Sequence, residues 1–376
     1  MYRFLYRKSI RKLHKVAKIS ASAPRNHSRK SVFFRTFVAH KILNQKRNPI
    51  MADIALINEI REKAAKVKRT LVLPESHDDR VLRAAEYIQK EKIASVITLG
   101  NEEKIRARAK EIDVELTGVR VIDPEKSDKL SDFANIFYNL RKHKGMTIEE
   151  AHTTMKRDIF FGAMMLREGM AHASVSGSFA STGDVMRAGI LCIGTKEGVS
   201  IVSSSFLMAF PEKTYTFADC AVIPDPDANQ LADIAAVSAD THQRLTGEVP
   251  VVALLSFSTK GSAEHKNIDK VREALRIVKE KHPELLVDGE LQFDAAVVES
   301  IGQKKAPGSQ VAGKANVLIF PDLQSGNIGY KIAQRWGKAE AIGPVSQGLR
   351  LPFFDLSRGC SVDDIITTSA IALLMA

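Results

Sequence analysis

Asp355-Leu-Ser-Arg-Gly-Cys-Ser-Val-Asp-Asp-Ile365 places a hydroxyl (Ser357), a permanent cation (Arg358) and two carboxylates (Asp363, Asp364) in one short turn. Those groups suit a site that handles an anion and a proton. A guanidinium fork grips a phosphate or carboxylate through two parallel hydrogen bonds. A neighbouring carboxylate can accept a proton. The apolar run from Ile365 to Ala376 follows at once, so the cluster opens a helix, where negative charge is favoured.

The same spacing has a plainer use. Ser361 followed three residues later by Asp364 has the form of a capping box, although Glu or Gln is the usual partner. A carboxylate in a first helical turn is held as the anion, which makes it a weak base. Against a free thiol the gap is about 4.5 pK units, roughly 6 kcal/mol. A catalytic Asp364 therefore needs burial, or a cation that lowers the pKa of the group it deprotonates.

Four other stretches carry polar groups suited to anions. Ser256-Phe-Ser-Thr-Lys-Gly-Ser262 follows an apolar run and offers Ser258, Thr259 and Lys260, without the Walker A spacing. Ser325-Gly-Asn-Ile-Gly329 stands between an expected strand and helix. Its backbone N–H groups suit a phosphate, or its glycines relieve crowding. Ser178 to Arg187 combines Ser181, Thr182 and Arg187 near a helix start, and Arg141 to Lys144 is a basic cluster after a helix. Either is an anion clamp or solvated surface. The histidines show no metal-binding spacing. Cys192 sits in an apolar context and reads as core; Cys360 has no local histidine to activate it.

The chain has 376 residues, enough for two domains and a sizeable core. No stretch reaches the roughly 18–20 apolar residues of a membrane span. Three widely spaced cysteines argue against a disulfide scaffold and fit a reducing cytosol. The net charge of +11 is confined to one end. Residues 1–50 hold 14 of the 55 Lys and Arg and no acid, leaving 41 basic against 44 acidic residues in the body. The body thus has no nucleic-acid footprint. The tail is expected to lie outside the fold, with Met51 as the natural start. A transit segment or a basic binding arm are the alternatives.

Short apolar runs alternate with helical patterns along the body. Strands are expected at 70–74, 94–99, 119–122, 173–176, 249–257 and 316–320, with further apolar runs at 199–208 and 216–223. Helices are expected at 53–67, 79–91, 130–143, 147–169, 227–246, 267–281 and from about 327. That alternation specifies an α/β fold with largely parallel, buried strands. Ligands in such sheets bind beyond the carboxyl ends of the strands.

Lys305 to Leu323, Gly326 to Arg335, Ile342 to Gly348 and Asp355 to Ser361 together strongly resemble the phosphate acetyltransferase (phosphotransacetylase) family. Ser258 to Ser262, Asp288 to Gln292, Ser181 to Asp184 and Leu71 to Glu75 resemble it too, so the likeness spans about 52–376. The resemblance implies reversible transfer of acetyl between acetyl phosphate and coenzyme A, with CoA as substrate and no tightly bound cofactor. It implies a homodimer in the cytoplasm. It implies two three-layer α/β/α domains, like the isocitrate and isopropylmalate dehydrogenases, with the site in the cleft between them. Residues 51–197 plus 347–376 would form one domain and 198–346 the other. By the same likeness Asp364 is the base for the CoA thiol, Arg358 holds the phosphoryl group and Ser357 bonds the carbonyl region. Arg141 and Arg187 would contact CoA. Phosphate butyryltransferase is the near rival; an NAD-linked decarboxylating dehydrogenase would need metal ligands and a nucleotide loop that the sequence lacks.

Overall fold

A computed structural model describes residues 49–376; the tail alternatives concern 1–50, which lie almost wholly outside the described residues. The chain runs α1 (Pro49–Lys66), β1 (Thr70–Leu73), α2 (Asp79–Lys90), β2 (Ser95–Leu99), α3 (Glu102–Glu111) and β3 (Arg120–Ile122). It continues through α4 (Leu130–Arg141), α5 (Ile148–Met155), α6 (Asp158–Arg167), β4 (Ala173–Ser176), α7 (Thr182–Ala188), β5 (Ser203–Ala209) and β6 (Thr214–Ala218). Then come α8 (Ala228–Thr246), β7 (Val252–Leu255), α9 (Lys266–Lys281), β8 (Val287–Leu291), α10 (Phe293–Val297) and α11 (Glu299–Lys305). The last elements are β9 (Val317–Ile319), α12 (Leu323–Arg335), β10 (Glu340–Gln347), β11 (Phe353–Asp355) and α13 (Val362–Met375).

These strands make two sheets. The first has the order β11-β4-β1-β2-β3 and is parallel throughout. The second has the order β10-β5-β6-β9-β7-β8. Its β6, β9, β7 and β8 are parallel, whereas β5 runs antiparallel to both β6 and β10. Pattern alone does not distinguish these directions, because a strand buried on both faces reads the same either way.

Strand alternation sets the layers. Leu71 and Leu73 of β1 face a core with α1, α2, α3 and α13, and Val72 faces the opposite core with α4 and α6. In the second sheet Val252 and Leu254 pack with α8 and α9; Ala253 and Leu255 face the other side. Local signals set the ends of the helices. Asp78 caps α2 by accepting from the Arg80 N–H. Asp227 and Gln230 close a capping box on α8, and Gly247 ends it at φ 79°. The expected helix at 147–169 is two helices, because Arg157 between them is extended.

Helix α13 is buried around most of its circumference, with every residue from Ile365 to Leu373 buried. It packs on the first sheet and α1, and meets Leu207, Ile342 and Val345 of the second sheet on another side. A helix walled in on most sides needs no broad polar stripe. The element that carries the polar turn is thereby fixed between the two sheets. Among the described residues no helix is long and apolar enough to cross a membrane.

Three strands lie outside the expected runs: β8, β10 and β11. Strand β8 is Val-Asp-Gly-Glu-Leu and is buried along its length. Its acids are neutralised internally. Asp288 bonds Lys260 and the Ser309 hydroxyl. Glu290 accepts from Arg272, Gly261 N–H and the Ser258 hydroxyl at 2.8–3.2 Å. Burial alone would raise the Glu290 pKa, but those hydrogen bonds outweigh it and bring it to about 2. The short strand β11 ends in Asp355 and was likewise read as part of a polar turn.

Candidate active site

A cleft of about 730 Å³ opens where the carboxyl ends of β4 and β11 face β5, β10 and α12. Its walls include Ser181 and Thr182 from the turn after β4, and Ser357, Arg358 and Asp364 from the turn after β11. Tyr330 and Arg335 come from α12, and Phe206 from β5. Phe206 and Tyr330 stack with ring centres 4.3 Å apart, giving one wall a flat aromatic surface.

The turn after β11 is held from behind. Arg80, in the first turn of α2, donates to the Arg358 carbonyl at 2.9 Å and the Cys360 carbonyl at 2.7 Å. Its other Nη donates to the Ser178 carbonyl at 2.9 Å and to Asp78 at 2.6 Å. One guanidinium thus ties together the turns after β1, β4 and β11. The Arg358 side chain is left exposed, with no hydrogen-bond or ion-pair partner among the described residues. A free fork at a cleft wall is what an anionic ligand requires.

The two acids separate cleanly. Asp363 points away and pairs with Arg61 at 2.7 Å. Asp364 lines the cleft and completes the capping box with Ser361. Its Oδ2 accepts from the Ser361 N–H and hydroxyl, both at 2.8 Å. Its Oδ1 has no partner among the described residues. Capping therefore occupies one oxygen and leaves the other for a ligand.

The turn after β4 wraps a carboxylate. Glu75 is buried, and its Oε2 accepts from Gly177 N–H at 2.7 Å and from Ser178 N–H and hydroxyl. Its Oε1 accepts from Ala180 N–H at 2.7 Å and Phe179 N–H. Gly177 has φ +105°, and a Cβ there would lie 2.3 Å from Asp355 Oδ1. Only glycine fits that position. Ser181 caps α7, its hydroxyl shared with Asp184 N–H and Oδ2. Hydrogen bonding by Ser181, then Arg157, holds Asp184 below the usual carboxylate range.

Other residues singled out by sequence lie elsewhere. Ser258, Thr259 and Lys260 are absent from the cleft wall; they brace β8 through Asp288, Glu290 and Gln292. Arg141, at the end of α4, and Arg187, exposed on α7, do not line the cleft either. Ser325 to Gly329 is no loop: α12 starts earlier, capped by Asp322. Its glycine is there for close packing, since a Cβ at Gly326 would lie 2.2 Å from the Asp219 carbonyl. Cys192 is core, its thiol pKa pushed up by burial. Glu75, Arg80 and Asp355 were missed as site residues. Glu75 and Asp355 stand in segments of known likeness; Arg80 carried no signal beyond its place after a polar turn.

A family model described as "Phosphate acetyl/butaryl transferase" matches residues 55–373. The chain belongs to that family. It is 49% identical over 329 residues to a phosphate acetyltransferase of Thermoanaerobacterium thermosaccharolyticum, covering 86% of this chain and all of the relative. A solved phosphotransacetylase from Streptococcus pyogenes superposes with a TM-score of 0.83 at 42% identity, covering 86% of this chain and 98% of that one. Another, from Staphylococcus aureus, gives 0.81 at 41%, covering 85% and 98%. Membership of the family makes the chain an acyltransferase of α/β fold.

Proposed function

We propose that this protein is a phosphate acetyltransferase that moves acetyl between acetyl phosphate and coenzyme A in the cleft between its two sheets. The observation that carries the reading is the unpartnered Arg358 fork beside the free Oδ1 of Asp364 on one cleft wall. Arg358 grips the phosphoryl group and Ser357 bonds the acyl carbonyl. Asp364 Oδ1 takes the thiol proton, and the thiolate attacks the acetyl carbon as phosphate leaves. Arg358 also lowers the pKa of the bound thiol, which narrows the gap that a helix-capping carboxylate faces. Holding both substrates in one cleft supplies much of the rate, and charge stabilisation adds the rest.

The same reading divides the chain into 51–197 with 347–376, which hold all the strands of the first sheet, and 198–346, which hold nearly all of the second. It also makes the protein a homodimer. Ile328, Ile332 and Trp336 stand exposed along and just beyond α12, the indole at 82% of its full exposure. They flank an apolar hollow lined by Phe217, Phe293 and Phe320, and a second copy would cover this face. Sedimentation velocity should give twice the chain mass; a monomer at micromolar concentration would remove this part of the reading.

Thioester formation from CoA with acetyl, propionyl or butyryl phosphate tests the activity, and no product with any of them sinks it. Butyryl favoured over acetyl would move the chain to the butyryl side of its family. Arg358→Lys should lose about 100-fold in kcat/KM for acetyl phosphate, because an ammonium cannot reproduce the planar fork. Wild-type kinetics in that variant would mean that Arg358 is only a surface charge.

A further inference from the structure

One buried acid at the cleft has no part in the reaction as described. Asp355 ends β11, is only 6% exposed and lines the cleft. Its Oδ2 accepts a 2.7 Å hydrogen bond from the Thr182 hydroxyl, and its Oδ1 has no partner among the described residues. Beside it in β4, the register partner Ser176 also carries a buried, unpartnered hydroxyl. The contrast with Glu75 is sharp. Among the described residues the Glu75 carboxylate takes five side-chain-directed donors and the Asp355 carboxylate takes one, from Thr182. An under-satisfied buried carboxylate is costly and calls for an explanation.

A hydroxyl has a single proton. Thr182 gives its proton to Asp355, so Thr182 Oγ1 faces the cleft as an acceptor. It then repels a bare phosphate oxygen and suits a P–OH. Resting on the acyl-transfer reading, we propose that Asp355 is a positioning residue that makes Thr182 the acceptor and proton relay for the hydroxyl of hydrogen phosphate.

The step balances in both directions. When hydrogen phosphate attacks acetyl-CoA, its proton passes to Thr182 Oγ1 as the Thr182 proton passes to Asp355 Oδ2. The new C–O bond forms, the C–S bond breaks, and the thiolate leaves with the electron pair and takes a proton from Asp364, which draws its replacement from solvent. Asp355 then releases its proton to solvent. In the other direction protonated Asp355 supplies Thr182, which protonates the departing phosphate and spares it from leaving as a trianion. Burial, and behind it the Glu75 charge, raise Asp355 to about 6 despite the bond from Thr182. A group titrating there serves as acid and base better than an ordinary carboxylate. The groups packed around it are Glu75 from the turn after β1, uncharged Ser176 in β4 and uncharged Ser346 in β10. Arg335, Arg358 and Asp364 share its cleft.

The test is steady-state kinetics of the full chain with acetyl-CoA and inorganic phosphate, from about pH 5 to about pH 9. Thr182→Val should lower kcat about 100-fold with KM for acetyl-CoA little changed, and Thr182→Ser should recover most of it. Asp355→Asn should lose a similar factor and also the acidic limb near pH 6. Retained kcat in Thr182→Val overturns the inference, as does a Thr182→Ser variant as poor as Thr182→Val, which would locate the effect in the methyl group. An Asp355→Asn variant that folds and keeps the pH 6 limb overturns it too. If Asp355→Asn does not fold, the Thr182 pair decides, since that side chain is exposed. A wild-type protein without acyl transfer overturns the parent reading and this one together. An active wild type with an unaffected Thr182→Val overturns this one alone.

Discussion

Asp364→Asn should reduce turnover by about 10²- to 10⁴-fold, the usual worth of a general base, while the fold loses under about 1 kcal/mol. The two effects separate because the two carboxylate oxygens have separate duties. Oδ2 accepts from Ser361 N–H and hydroxyl, and an amide oxygen can take over that bond. Oδ1 faces no donor among the described residues, and an amide there cannot accept the thiol proton. Asp363→Asn is the matched control: it is tied to Arg61 at 2.7 Å and should leave kcat within about twofold. Thermal melts and initial rates on both variants check the prediction. If Asp364→Asn lowers only the melting temperature, the residue is a cap and the base lies elsewhere.

Glu75→Gln should cost about 3 kcal/mol of stability and most of the activity. The carboxylate is enclosed by four backbone N–H groups and one hydroxyl, all donors. A glutamine must turn an NH2 toward either Gly177 and Ser178 or Phe179 and Ala180. Donor then meets donor in a buried site, and the turn between β4 and α7 opens. Thr182 and Ser181 move with that turn. Urea unfolding should show a lower midpoint, and the amides of Gly177, Ser178 and Ala180 should exchange faster than in the wild type. An unchanged midpoint with unchanged exchange would show that the turn is held by other means, Arg80 foremost.

The sequence by itself determined a good deal. Alternating apolar runs and helical periods specify an α/β fold, because buried parallel strands must be apolar on both faces and their crossover helices amphipathic. The basic tail separates from a nearly neutral body by charge alone. Asp355 to Ile365 offers the groups an anion-and-proton site needs, and the same spacing also reads as a helix cap. Motif likeness over the whole body then names the chemistry.

Only the tertiary structure decided which of those polar groups meet. Ser258, Thr259 and Lys260 looked like an anion loop, yet Lys260 pairs with Asp288 and Ser258 bonds Glu290, two acids on a buried strand that a polarity scan could not find. Spacing along the chain does not separate Asp363 from Asp364. Their directions do, because adjacent helical positions differ by about 100° and one faces Arg61 and the other the cleft. Glu75 and Arg80 lie over a hundred and over two hundred residues from segments they hold, so no local signal marks them. Asp355 shows the limit most plainly. Its identity is in the sequence, but its burial, its single donor and its bare oxygen exist only once β4 and β11 lie side by side.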